Sequence, residues 1–302
     1  MNKSFLKKAI PEPLLFPLWK MASERKVRQT VAARRAFEAA PSSPEWLNYQ
    51  DLERLNEAYP PLASYGYSND SYYQRGWERS QELLQSGGGK LKKCRKSLEL
   101  GCWDGMVSYF LHQQGLQAHA IDLRDLGFDP RAVEAGVKFQ AMDATALDFE
   151  DQTFDLVFSY SSFEHFHHAD EVFKEGLRVL QPGGYFFLAF GPLYMAPTGL
   201  HAGLSVRVPY CQLLWPEATL HQFTDEIGTE RIDYAHVNGW SLQRYRNLWQ
   251  AYAHEVKTIR YHEIPNVRHL DLVQRYPSCF RSKTDAFEDL IVSSIFVLFQ
   301  KR

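Results

Sequence analysis

The heptapeptide Glu99-Leu100-Gly101-Cys102-Trp103-Asp104-Gly105 constrains this chain more than any other stretch. It stands between a strand pattern over 97–100 and a helical pattern over 105–114. A glycine at such a turn lets backbone approach a ligand closely, and the helix after it presents unpaired N–H groups. From Gly89 onward strand and helix patterns alternate, which predicts a layered α/β domain around a largely parallel sheet. Further strands read over 118–123, 137–142, 154–160 and 185–190. A helix reads over 169–180, and Gln181-Pro182-Gly183-Gly184 is expected to end it. The rhythm breaks over 191–239, then resumes with a helix at 242–254 and strands at 256–262 and 290–300.

Two acids extend the heptapeptide into a constellation. Asp122 ends the second strand, 23 positions after Glu99, where doubly wound sheets place a carboxylate for ribose hydroxyls. Asp143 follows the third strand and is placed to accept from an adenine amine. Turn capping by Asp122 and Asp143 is the alternative. A dinucleotide fingerprint of the form G-x-G-x-x-G needs a second glycine where Trp103 stands, and Glu99 fits that pattern poorly.

These segments resemble class I S-adenosylmethionine-dependent methyltransferases, in the branch that acts on small molecules. The likeness runs through "ELGCWDG", Asp122, Asp143, "FDLVFSYSSFEHF" and "RVLQPGGYFFLAF", within residues 95–191. It implies a Rossmann-like α/β fold, a seven-stranded mostly parallel sheet with an antiparallel edge hairpin, and S-adenosylmethionine as cofactor. The implied activity is methyl transfer to a small or medium-sized organic acceptor: a natural product, a sugar or a lipid-linked metabolite. A non-catalytic scaffold with a degenerate fold is the alternative, because Trp103 replaces the family's middle glycine.

By position, the resemblance assigns Glu99 and the Gly101 backbone to the methionine part of the cofactor, with Gly105 packing the helix beside it. Asp122 takes the ribose hydroxyls, Asp143 the adenine amine, and Ala144 the adenine wall. Ser159 and Tyr160 face the methionine amine and sulfonium. Tyr73 and Arg75 belong to an upstream aromatic run, with Tyr65 and Tyr67, that closes over the cofactor or packs helices onto the sheet. His165, beside Glu164, is the candidate general base, since imidazole titrates near neutrality. Fixing the loop is its alternative role. Trp103, His201 and Arg207 are the candidates for contact with the acceptor.

Residues 1–89 read as a helical extension and cofactor lid, and 90–302 as the catalytic domain. Within it, 191–239 is expected to cap the acceptor, its apolar contacts coming from Leu193, Tyr194, Met195, Leu204, Tyr210, Leu213, Leu214 and Trp215. A homodimer interface or a packed subdomain is the alternative. The histidines His167, His168, His201, His221 and His236 form neither H-x-x-E-H nor H-E-x-x-H, so no metal is expected. The net charge of −2 opposes a nucleic-acid partner, yet residues 1–40 carry nine lysines and arginines against three glutamates. That arm suits peripheral contact with an anionic membrane or a solvated surface. Four scattered cysteines without a C-x-x-C pair, and no apolar run of spanning length, lead to the expectation of a cytoplasmic protein, with membrane association through the basic arm as the variation.

Overall fold

Alternating apolar side chains on successive strands put greasy surface on both faces of one sheet, and helices cover each face. The computed structural model describes residues 28–61 and 68–302. Its strands are β1 (Lys96–Leu100), β2 (Gln117–Asp122), β3 (Lys138–Ala141), β4 (Phe154–Tyr160), β5 (Leu180–Phe190), β6 (Val256–Pro265) and β7 (Val292–Lys301). They form one seven-stranded sheet in the order β3-β2-β1-β4-β5-β7-β6. The first five run parallel. β7 runs antiparallel between β5 and β6, which makes the expected antiparallel edge. Strand order reverses between β1 and β4, so a crevice opens at their carboxyl ends, the usual ligand position in such sheets.

Helices α1 (28–39), α2 (Tyr49–Ala58) and α3 (Asn69–Ser86) precede the sheet. Between strands lie α4 (Met106–Gln113), α5 (Pro130–Ala135) and α6 (Ala169–Val179). After β5 come α7 (Cys211–Leu214), α8 (Glu217–Glu226) and α9 (Leu242–Ala251). Short helices α10 (Leu270–Arg275), α11 (Pro277–Arg281) and α12 (Phe287–Ile291) fill the span between β6 and β7.

One face of the sheet packs Phe173 and Leu177 of α6 and Tyr245 and Trp249 of α9 against Phe186, Val297 and Phe299. The other packs Leu83 and Leu84 of α3 and Val107 and Leu111 of α4 against Phe158 and Phe187. A separate helical core joins α1 and α2 to the insertion and to α10–α12, through Phe37, Leu52, Tyr210, Trp215, Phe280 and Phe287.

Several expectations change on this architecture. The upstream aromatic run is helical from Asn69 onward, because the Ser68 hydroxyl accepts the Ser71 N–H at 3.2 Å and starts α3 there. Gln181-Pro182-Gly183-Gly184 does not merely end α6. It forms a bulge inside β5, where the pairing jumps from Phe154↔Leu180 to Leu156↔Tyr185. Leu290 and Ile291 belong to α12, and the last strand starts at Val292. Tyr210, Leu213, Leu214 and Trp215 are buried in the helical core and present no acceptor surface, so the insertion is a packed subdomain at those residues. The former extension is split: α1 and α2 join that core, while α3 lies on the sheet domain. Tyr65, Tyr67 and most of the basic arm (1–27) lie outside the described residues. Among the described residues no helix is long and apolar enough to cross a membrane.

His119 on β2 carries a consequence for stability. Its ring is buried edge-on to Phe149 and Phe154, and neither nitrogen has a hydrogen-bond partner among the described residues. Burial, with Lys96 and Lys138 nearby, lowers its proton affinity from 6.5 to about 4. Between those values the unfolded chain binds the extra proton, so this residue costs stability as pH falls. In chemical denaturation, His119→Leu should flatten that part of the acid dependence relative to the parent; an unchanged dependence would refute the assignment.

Candidate active site

The Gly101 turn is built from backbone constraints. Gly101 adopts φ 69°, and a Cβ there would stand 2.6 Å from the Ser162 Cβ. No larger residue fits without moving the loop after β4. Gly105 adopts φ 74° just before α4, and a Cβ would strike the Phe139 ring at 2.4 Å. The Gly101 and Cys102 N–H groups both donate to the Ile121 carbonyl at 3.0 Å, which ties the turn to β2. The Gly101 carbonyl accepts the Ser162 hydroxyl at 2.8 Å. The turn therefore brings the β1, β2 and β4 ends together.

Glu99 lies beneath this turn. Its Oε2 accepts the Ser108 N–H at 3.2 Å and the Ser108 hydroxyl at 2.6 Å. Burial pushes its carboxyl up to about 8, against the pull of those hydrogen bonds. Asp104 caps α4 by accepting the Met106 N–H at 2.8 Å, and burial raises its carboxyl too, with Arg75 and Arg79 pulling the other way.

Asp122 sits at the end of β2, as expected for a ribose acceptor, but it already has partners. Oδ2 accepts the Trp103 N–H at 3.0 Å, and Oδ1 accepts Arg124 Nε at 3.0 Å. Arg124 also donates to the Trp103 carbonyl at 3.2 Å and stacks 4.1 Å above the indole. Trp103 is thus held on the Asp122 side, half exposed at φ 51°, rather than beside His165 and His201. Leu123, missed in the sequence, follows Asp122 with 75% of its surface exposed. Asp143 does cap a turn: its Oδ1 accepts both the N–H and the hydroxyl of Thr145 at 2.8 Å. Ala144 is buried behind it.

At the β4 end the expected side chains turn inward. Ser159 is fully buried and its hydroxyl donates to the Leu100 carbonyl at 2.8 Å. Tyr160 is buried toward α3, its hydroxyl donating to the Arg79 carbonyl at 2.8 Å. Ser161 and Ser162 follow, and Arg79 reaches Ser161 Oγ at 2.8 Å. Arg79, one turn beyond Arg75, is a cation that the sequence reading overlooked. Tyr73 packs edge-on to the Phe110 ring of α4 at 4.8 Å, with the Arg131 guanidinium over its own ring, and so fastens α3 to α4.

Beyond Ser162 the loop carries Glu164 and His165. Glu164 is buried; its Oε1 accepts the Gly191 N–H at 3.1 Å, and its Oε2 has no hydrogen-bond partner among the described residues. Burial pushes this carboxyl up to about 8. His165 is not a solitary base. Its ring lies 5.0 Å from that of His201 and 4.3 Å from that of His236. His165 Nδ1 is hydrogen-bonded to the His236 carbonyl, leaving Nε2 as its other nitrogen. Crowding lowers the proton affinity of His165, mainly through burial, and lowers that of His201 to about 4, through burial and then its two histidine neighbours. Both rings are held neutral near pH 7. Arg207 lies apart from this cluster: exposed, with its N–H donated to Asn56 at 2.7 Å on α2, it stitches the insertion to the N-terminal helices.

Comparison with known proteins agrees with this arrangement. Residues 98–188, from β1 into β5, match the family model described as a methyltransferase domain. The chain is 30% identical to a chloroplastic tocopherol O-methyltransferase of Arabidopsis thaliana over 65% of this chain and 55% of that protein. It is 27% identical to a fatty-acid O-methyltransferase of Mycolicibacterium smegmatis over 53% of this chain and 64% of that protein. The match therefore spans less than two thirds of the length of either relative. A solved S-adenosylmethionine dependent methyltransferase from Mesorhizobium loti superposes with a TM-score of 0.45 at 17% identity, over 74% of this chain and 96% of that one. The Gly101 turn and the acids Glu99, Asp122 and Asp143 lie inside the matched span, residues 98–188, which is a methyltransferase domain of the class I S-adenosylmethionine-dependent type.

Proposed function

We propose that this protein transfers a methyl group from S-adenosylmethionine to a small organic acceptor, of the hydroxylated, largely apolar kind named for its relatives. The observation that carries this reading is the set of acids Glu99, Asp122 and Asp143 at the carboxyl side of β1, β2 and β3 around the Gly101 turn. Bound S-adenosylmethionine supplies a methyl group already made electrophilic by a positive sulfur. The protein's work is then alignment and exclusion of water.

In this reading Asp122 accepts the ribose hydroxyls once Arg124, whose side chain is partly exposed, swings off it. A carboxylate has about four lone-pair sites, and Arg124 and Trp103 now hold them. Leu123 and Asp143 serve the adenine, one as apolar surface and one as acceptor. Arg79, rather than Arg75, is assigned to the methionine carboxylate, because it reaches the strand end at Ser161. The acceptor enters from the side of Gly191 and the histidine cluster, where a hydroxyl loses its proton.

Calorimetry tests the cofactor half. The parent should bind S-adenosylmethionine or S-adenosylhomocysteine, and Asp122→Ala should weaken binding by about 1–3 kcal/mol, the cost of an unpaired polar partner. Arg79→Ala should weaken it more than Arg75→Ala does. Absence of any binding to the parent would instead leave a non-catalytic scaffold.

The acceptor half depends on how the histidine loop is held. Asn238, half-buried, donates through Nδ2 to the Phe163 and Phe166 carbonyls at 3.1 Å, and its N–H donates to the Glu164 carbonyl at 2.8 Å. Asn238→Ala removes the side-chain bonds, so it should lower kcat while cofactor affinity changes less than twofold. An equal loss of cofactor binding would mean that Asn238 supports the whole crevice rather than this loop.

A further inference from the structure

We propose that His165, His201 and His236 form a binding site for a divalent transition-metal cation, with a remaining coordination position for an oxygen of the acceptor. The three imidazoles come from three separate segments: the turn after β4, the stretch after β5, and the short 3-10 turn Tyr234–His236. One ring nitrogen of each lies within 4.8 Å of those of the other two. A zinc ion bound at about 2.0–2.1 Å from each nitrogen needs them somewhat closer together, a closure within reach of side-chain rotation. His201 and His236 have solvent access, so their rings have room to turn.

The surroundings supply what such a site requires beyond its ligands. Metal-bound histidines characteristically donate their second N–H to a backbone carbonyl, which fixes the tautomer. His165 Nδ1 is so placed against the His236 carbonyl. Glu164 adds an independent sign: it is 2% exposed, its Oε2 has no partner among the described residues, and its Oε1 lies 3.9 Å from His165 Nε2. A buried acceptor atom without a donor costs free energy unless something positive comes near it. Imidazole donors favour zinc, copper, iron or nickel over magnesium or calcium. Three protein ligands plus an open position is the arrangement of a reactive rather than a structural zinc.

The consequence for the reaction follows from charge. An acceptor O–H whose oxygen takes the open position becomes more acidic, as water does on zinc. Its proton passes to bulk water, and its oxygen forms the new bond to the methyl carbon as the carbon–sulfur bond breaks, the electron pair staying on sulfur. This rests on the methyltransferase reading above, but metal binding is measurable without it.

The test is zinc titration of the full chain after treatment with a chelator, followed by calorimetry and by the absorption spectrum of the cobalt-substituted protein. One zinc per chain is expected, together with a cobalt spectrum typical of nitrogen ligands. His201→Ala and His236→Ala should each lower zinc affinity by more than about 100-fold, since even outer partners of a metal site are worth 10–100-fold. His221→Ala, outside the cluster, should leave it unchanged. Should either alanine variant fold poorly, zinc must still raise the parent's melting temperature. No stoichiometric zinc binding, or binding that survives both substitutions, overturns the proposal. Zinc binding without S-adenosylmethionine binding would sustain this site and refute the methyltransferase reading; the converse would do the opposite.

Discussion

The contact between the Gly101 turn and Ser162 is the joint on which the candidate site depends. It leaves no room for a Cβ at Gly101, and the Ser162 hydroxyl closes it on the Gly101 carbonyl. Because the two loops belong to β1 and β4, the strands at the reversal of sheet order, their contact sets the width of the crevice. The acids of β1 and β2 stand on one side of it and the histidine loop on the other. A shift there moves cofactor groups and acceptor groups relative to each other, and an in-line transfer tolerates little such misplacement.

The crevice is also electrostatically unusual. Glu99 and Glu164 are both buried, and the same cause, loss of hydration, raises both carboxyls to about 8. Arg79 is near enough to pull each of them partway back.

The fold was legible because its signals are local. The strand–turn–helix at Gly101, the buried run "FDLVFSY" and the late antiparallel strands each declare themselves within a dozen residues. Partner choice was less so. Asp122 was read correctly as the end of β2, but nothing in its spacing says that Arg124, two residues on, folds back onto it. Nothing in the upstream aromatic run says that Arg79, one turn beyond Arg75 on the same helix, reaches Ser161. Ser159 and Tyr160 were assigned by strand position alone, and the alternation of a strand buried on both faces sends both side chains inward. The histidine cluster escaped every spacing rule, since its members stand 36 and 35 positions apart. Short motifs detect ligands on one element, whereas this cluster is assembled by tertiary structure.

That assembly places the cluster where the two halves of the molecule meet. The insertion leaves the sheet core at Leu193, enters the helical core by Leu200, and stays in it until Val237. At Trp240 it rejoins the sheet core. His201 and His236 therefore stand just inside the two crossing points, and His165 faces them from the sheet domain's own loop. Three rings that converge across such a boundary stay in register only while both cores remain seated. The Asn238 N–H on the Glu164 carbonyl and the Gly191 N–H on the Glu164 carboxylate brace it from both strands of the crossing. The helical core, which shares residues with α1 and α2, therefore adjoins the histidine side of the crevice rather than the Gly101 turn. Variation in that core would shift the histidines and leave the Gly101 turn and its acids as they are.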